Sequence, residues 1–221
     1  MLKLENISYS YIDGGNKRTI LENVNYEFEK GQFYTILGPS GSGKTTLLSI
    51  ISGLDRPETG KVYYDGEDVE KIGLTNYRRN KIGIVFQQYN LLTYLTAVEN
   101  IELALTETDN VVPKNKRDIA YALLEKFGIV KSKADRMINK LSGGEQQRVA
   151  IARSIASNVD LIFADEPTGN LDTETEQEII RIFKNLTEEY KKTVIVVTHS
   201  QAVSQLSDHR VYLSNRTLKD I

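Results

Sequence analysis

Nine consecutive residues, GPSGSGKTT (38–46), carry the most specific chemistry in this chain. They fit the pattern G-x-x-x-x-G-K-[ST] at Gly38, Gly43, Lys44 and Thr45, with Pro39, Ser40, Gly41 and Ser42 inside the loop and Thr46 just after it. Such glycines permit backbone turns that aim successive N–H groups at one point, which suits phosphate oxygens at a helix N-terminus. Lys44 then reaches the β- and γ-phosphates of a nucleotide, and the Thr45 hydroxyl offers a hard oxygen to Mg2+. A second stretch, DLIFADEP, delivers Asp165 and Glu166 to the end of an apolar run. Two adjacent acids there are costly unless a cation or a solvent-filled cleft receives them. Asp165 suits Mg2+, held directly or through water, and Glu166 suits a base that polarises water for attack on the γ-phosphate. His199 ends a further apolar run, TVIVVTH, where a polar group could sense that same phosphate.

A third stretch, LSGGEQQRVAIARSIA (141–156), raises the question of a second cradle. Ser142 and Glu145 form S-x-x-E, a capping box ahead of a helix. Gly143 and Gly144 are not needed by that box and weaken the first helical turn. Their use makes sense where an anion must approach the backbone closely. A loop such as 38–46 wraps one side of a triphosphate and leaves the γ-phosphate an open face that a second helix terminus would fit.

The elements that must position these residues can be read from the apolar spacing. Residues 32–37 (QFYTIL) form a strand that ends in the glycine loop, and TTLLSIISG is a buried helix stopped at Gly53. KVYYDG reads as a strand entering a turn, and residues 82–86 (IGIVF) as a buried strand. The runs 160–165 and 193–199 are continuously apolar, as parallel strands covered on both faces are. Between them, Ile179, Ile182, Phe183 and Leu186 fall at helical spacing. From Val98 to Phe127 the pattern is helical, with Val98, Ile101 and Leu105 on one face and Ile119, Leu123 and Phe127 on another. Strand–helix alternation predicts an α/β fold with a mainly parallel sheet. Residues 1–87 and 158–221 form its core, and 88–157 an inserted helical subdomain within one domain.

Bulk properties narrow the setting. The chain has 221 residues, enough to bury a sizeable core, and its 28 Lys and Arg against 30 Asp and Glu give no general attraction to nucleic acid or anionic lipid. Cysteine is absent, which excludes disulfides and thiolate metal sites. MLKLENISYSY alternates like a strand instead of reading as a signal peptide, and no apolar run is long enough to span a bilayer. The expected location is therefore cytoplasmic, with any membrane role exerted through partners.

With these motifs in this order, the chain resembles the nucleotide-binding subunit of an ATP-binding cassette (ABC) transporter over nearly its whole length. LSGGEQQR matches that family's signature sequence. The resemblance implies a P-loop NTPase core with an N-terminal antiparallel β portion around the adenine. It also implies that Ser142, Gly143, Gly144 and Glu145 of one subunit complete the ATP site of a second copy in a head-to-tail dimer holding two Mg-ATP. Tyr11 in SYSY resembles the aromatic that stacks on adenine; Tyr9, two residues earlier, is the alternative. Gln87 in VFQQYN, with Gln88 beside it, resembles the glutamine that reaches Mg2+ and the attacking water. Asp172 in GNLD resembles the acid that crosses between the two sites, and His199 the switch histidine. Within the family, VFQQYNLL and DEPTGNLD resemble subunits serving lipoprotein release, macrolide or peptide export, and bacitracin-type resistance. The implied partners are a second copy and an integral-membrane permease at the inner face of the membrane, with no nucleic acid. A motor that remodels the cell envelope, or confers antibiotic resistance without moving cargo, would use the same residues. One stretch is left between readings: YNLLTYL (89–95) is either subdomain core or the lining of a groove for the permease. Arg78, Arg79 and Lys81 read as a solvated helix end. Residues 107–116 read as a polar surface loop of no assigned role.

Overall fold

The computed structural model describes residues 1–221 apart from the side chain of Asp13. In chain order its strands are β1 (Leu2–Asp13), β2 (Asn16–Phe28), β3 (Phe33–Leu37), β4 (Thr59–Tyr64), β5 (Glu67–Asp68), β6 (Ile82–Val85), β7 (Leu161–Asp165), β8 (Thr193–Val197), β9 (His209–Ser214) and β10 (Thr217–Asp220). The helices are α1 (Lys44–Ile51), α2 (Val69–Ile72), α3 (Leu74–Asn80), α4 (Ala97–Glu107), α5 (Lys116–Lys126), α6 (Lys131–Ala134), α7 (Gly143–Ala156), α8 (Thr173–Glu188) and α9 (Gln201–Leu206). One sheet is antiparallel, in the order β2-β1-β4-β5. The other runs β10-β9-β3-β8-β7-β6 and is parallel except for the β9–β10 pair.

The parallel sheet explains the continuous apolar runs, because each of its central strands feeds two cores. Leu161 and Phe163 of β7, with Ile195 and Val197 of β8, join α1 and the antiparallel sheet. Ile162, Ala164, Val194 and Val196 point the other way, into a cluster with α4, α5, α7 and α8. Among the described residues no helix is long and apolar enough to cross a membrane.

In β1 the apolar alternation slips. Leu2, Leu4 and Ile7 are all buried, and a register shift between Leu4 and Ile7 accommodates the odd spacing. Asn6 stands at φ 52°, and Asn6 and Asn25 exchange two hydrogen bonds of 2.9 and 3.1 Å that close the bulge.

Two helical faces differ from the periodic reading. In α5 the buried residues are Ala120 and Leu124, continued by Phe127 at the cap, while Ile119 and Leu123 flank the core. In α8 Ile180 is buried where Ile182 is not. The reason is shared: a helix wedged between two neighbours buries a stripe wider than one i, i+4 row, and small Ala120 permits close approach. Residues 88–96 form no helix.

Residues 107–116 are more organised than their polarity suggests. Buried Asn80, at the end of α3, accepts from Asp109 N–H and Thr108 Oγ1 at 2.8 and 3.0 Å, and donates to Asp109 Oδ2 at 3.0 Å. Asn110 donates to the Asn80 and Ser157 carbonyls at 2.9 and 2.8 Å, tying the loop to the end of α7. Two residues of the basic cluster also have partners: Arg78 donates to the Gly53 carbonyl, and exposed Arg79 to the Glu107 carbonyl and Asp109.

Helix α7 is pressed directly against β6. A Cβ built at Gly83 would stand 2.2 Å from the Ser154 carbonyl oxygen, a collision with main chain that no rotamer can relieve. Gly83→Ala should therefore cost about 2–3 kcal/mol and lower Tm by roughly 5–10 °C, as overpacking a tight core does. Thermal unfolding followed by circular dichroism checks this, and an unchanged Tm would mean that α7 can move off the sheet freely.

Candidate functional site

Residues 38–43 link β3 to α1, and their path is set by close packing behind them. Gly43 sits at φ 99°, and a Cβ there would lie 2.5 Å from Ile20 Cγ2, so only glycine lets the loop turn into α1 at this point. The resulting cleft, about 420 Å3, is lined by Tyr11, Arg18, Ile20, Ser40, Gly41, Gly43, Lys44, Thr45, Thr46 and Glu166. Lys44 Nζ lies across the loop, donating to the Gly38 and Pro39 carbonyls at 3.0 and 3.2 Å. Ser42 N–H closes the loop on the Pro39 carbonyl at 3.2 Å. Gly38, Pro39 and Ser42 are not part of the cleft lining, and Pro39 and Ser42 line an adjoining groove instead.

The acids arrive from the neighbouring strand. Asp165 ends β7, and Thr45 Oγ1 donates to its Oδ1 at 3.4 Å. Burial pushes the Asp165 carboxyl up, opposed by the Thr45 bond, while nearby Glu166 raises it further. A half-buried carboxylate next to a hydroxyl and a second carboxylate is a hard-oxygen set, and it fits Mg2+.

Glu166 sits at φ 44°, directly after the strand, and its N–H donates to the Val197 carbonyl at 2.9 Å. That bond ties the turn to the end of β8. Its carboxylate accepts from Thr198 Oγ1 at 3.1 Å, from His199 N–H at 3.3 Å and from His199 Nδ1 at 2.9 Å. An ionised carboxylate can only accept, so this contact places the ring proton on Nδ1. Thr198 leaves only a weak signal in the sequence, a hydroxyl directly after the apolar run VIVV. Glu176 of α8 adds an outer brace, accepting from Thr168 and Ser200 at 3.1 and 2.7 Å, which joins the turns after β7 and β8.

The structure separates the paired candidates. Tyr9 turns away to donate to Asp55 Oδ2 at 2.7 Å, whereas Tyr11 lines the cleft. Gln87 lies beside the turn after Glu166, its Nε2 3.1 Å from where a Gly169 Cβ would stand. Among the described residues it has no hydrogen bond to Thr45 or Asp165. Exposed Asp172 caps α8, accepting from Thr175 N–H and Oγ1 at 3.0 and 2.8 Å. In residues 89–95, Asn100 binds both main-chain groups of Leu92, at 2.9 and 3.1 Å, while Tyr94 is 70% exposed.

The capping box of α7 forms as its spacing predicts. Glu145 N–H donates to Ser142 Oγ at 3.3 Å, and Ser142 N–H donates to Glu145 Oε2 at 2.8 Å. Lys133 at 2.5 Å holds the Glu145 carboxyl below its usual range, against the opposing effect of burial. The two glycines divide. A Cβ at Gly144 would stand 2.4 Å from Thr175 Cγ2, so the approach of α8 within the chain accounts for that glycine without an anion. Gly143 is exposed, and among the described residues neither glycine N–H has an acceptor. Residues 141–146 contribute nothing to the lining of the cleft around Lys44.

A phosphate loop, a Thr–Asp pair suited to Mg2+ and a glutamate fixed at the sheet edge define a P-loop nucleotide hydrolase. Comparisons with known proteins narrow that class. The family model described as "ABC transporter" matches residues 21–169, more than half of the chain. The uncharacterized ABC transporter ATP-binding protein YclH of Bacillus subtilis is 45% identical, over 97% of this chain and 93% of its own. A dimeric structure of the cassette MJ0796 in a post-hydrolysis state, bound to ADP and Pi, superposes with a TM-score of 0.91 at 41% identity, covering 100% of this chain and 98% of that one. The macrolide export ATP-binding/permease protein MacB of Syntrophobacter fumaroxidans is 43% identical, over 93% of this chain but 29% of its own length. The chain belongs to the ABC transporter family, as an ATP-hydrolysing cassette.

Proposed function

We propose that this chain is the motor subunit of a membrane complex, and that two copies close head-to-tail on two Mg-ATP, hydrolyse them and reopen. One observation carries the reading: the α7 terminus, capped by Ser142 and with Gly143 exposed beside it, stands outside the cleft that holds Lys44. A second copy supplies what one chain does not bring together. The dimeric MJ0796 cassettes support this arrangement.

In the proposed site the loop N–H groups and Lys44 hold the phosphates. Thr45, Gln87 and Asp165 organise Mg2+, which when bound neutralises charge on the outer phosphates. Tyr11 packs on the base, and Ser142, Gly143, Gly144 and Glu145 come from the partner. Glu166 takes the proton of the attacking water. His199, held by Glu166 through Nδ1, presents Nε2 and stabilises the γ-phosphate as charge develops. Asp172 links the two sites from its place at the start of α8. Residues 88–157 act as a helical subdomain against the core formed by 1–87 and 158–221.

The complex is placed at the inner face of the cell membrane, docked on a permease, with export or extraction of a peptide, lipoprotein or antimicrobial as its work. The likeness to a macrolide exporter supports that cargo class over a cargo-free envelope motor. Affinity purification of the tagged chain from its own membranes tests it. Recovery of a stoichiometric permease whose addition stimulates ATP hydrolysis is expected. A chain that stays wholly in the soluble fraction, without a membrane partner, would count against the assignment.

A further inference from the structure

We propose that Arg18 is a nucleotide-positioning residue, a second cation that contacts the phosphate chain of the bound nucleotide. The proposal rests on the ATPase reading above and adds a residue that neither the P-loop pattern nor the family's motifs contain.

The β1–β2 hairpin places it. Gly14 and Gly15 stand at φ 54° and 85°, a two-residue turn with both centres left-handed, which sets the strand register tightly. In that register Tyr11 pairs with Arg18 and Ile12 with Lys17, so Tyr11 and Arg18 share the face that looks into the cleft. The Arg18 guanidinium carbon is 5.9 Å from the Tyr11 ring centroid, within range of a cation–π contact. Arg18 also borders Ser40 and Gly41, in the cleft itself and in an adjoining groove of about 400 Å3. It thus spans from the aromatic end of the site to the phosphate loop.

Neighbouring cations are already committed. Lys17 pairs with Glu58, and Arg216, across the adjoining groove, pairs with Glu22 at 3.2 Å. Among the described residues Arg18 makes no ion pair, and the one carboxylate lining the cleft, Glu166, is held by Thr198 and His199. A planar guanidinium can stay stacked on an aromatic ring while its N–H fork binds phosphate oxygens, a combination that an ammonium group cannot reproduce.

The test is competition binding on the whole chain, with mant-ATP fluorescence displaced by ATP, ADP or adenosine. Arg18→Ala should weaken ATP and ADP by roughly three- to tenfold, between the effect of an exposed ion pair and that of a buried charge-assisted bond. Adenosine binding and the melting temperature should not change. Arg18→Lys should restore part of the loss, since an ammonium keeps the charge but not the planar fork. Unchanged ATP and ADP affinity in Arg18→Ala, beside a clear loss in Lys44→Ala, would overturn the proposal and leave the ATPase reading standing. An equal loss for adenosine would overturn it too, moving the contact to the base or sugar. Wild-type ATP binding by Lys44→Ala would instead fault the underlying reading.

Discussion

Glu166→Gln should still bind Mg-ATP while its hydrolysis falls by roughly two to four orders of magnitude, the usual scale for a positioned general base. The substitution keeps size and shape, so it removes basicity with little else. Thr198 Oγ1 and the His199 main chain can still donate to the remaining amide oxygen, and the Val197 tie to the Glu166 N–H is untouched. Only the His199 Nδ1 contact must change, because an amide offers one acceptor where the carboxylate offered two. Total phosphate formed, measured after acid quench under single-turnover conditions, separates the loss of chemistry from slow product release. Hydrolysis at near wild-type rate would remove Glu166 from the role of base. With hydrolysis blocked, ATP should also accumulate a dimer by mass action, visible in light scattering as a doubled mass that depends on nucleotide.

Lys44→Ala should abolish turnover and weaken nucleotide binding severely. Its ammonium reaches over the loop to the Gly38 and Pro39 carbonyls, and no other lysine lines the cleft. Without it the outer phosphates face the Asp165 and Glu166 carboxylates with one compensating charge fewer, in a site where burial already strains Asp165. A steady-state rate indistinguishable from background is expected, with the fold intact by circular dichroism. Retained turnover would mean that the phosphates are held elsewhere.

Legibility in the sequence followed how local each constraint was. The P-loop, the strand-end acids and the α7 capping box are set by a few neighbouring residues and by main-chain geometry, so their spacing alone predicts them. The parallel strands were readable because burial on two faces leaves a continuous apolar run, as in LIFAD and TVIVV. What escaped depends on contacts distant in sequence. Thr198 matters only because the turn after β7 returns to the end of β8, and Asn80 only because residues 108–110 fold back on α3. Gly144 was open to an anion-site reading because nothing local shows that Thr175, some thirty residues later, comes to rest against it. The α5 face shifts by one position, and α8 keeps Ile179, Phe183 and Leu186 but buries Ile180 in place of Ile182, because tertiary neighbours, not helical periodicity, decide which flank is covered.

Sharing of each nucleotide between two chains is the central claim, and the absence of cysteine from the natural chain makes it directly testable. Two single-cysteine proteins, Ser40→Cys and Ser142→Cys, each carrying Glu166→Gln, are mixed and treated with a short thiol crosslinker, with and without Mg-ATP. Ser40 lines the phosphate cleft and Ser142 caps α7 outside it, so a link between them can form only if one chain's α7 meets the other's P-loop. The account predicts a covalent heterodimer that appears with Mg-ATP and is absent without it. Folded, ATP-bound proteins that give no such band, or a chain carrying both cysteines that links only to itself, would contradict it.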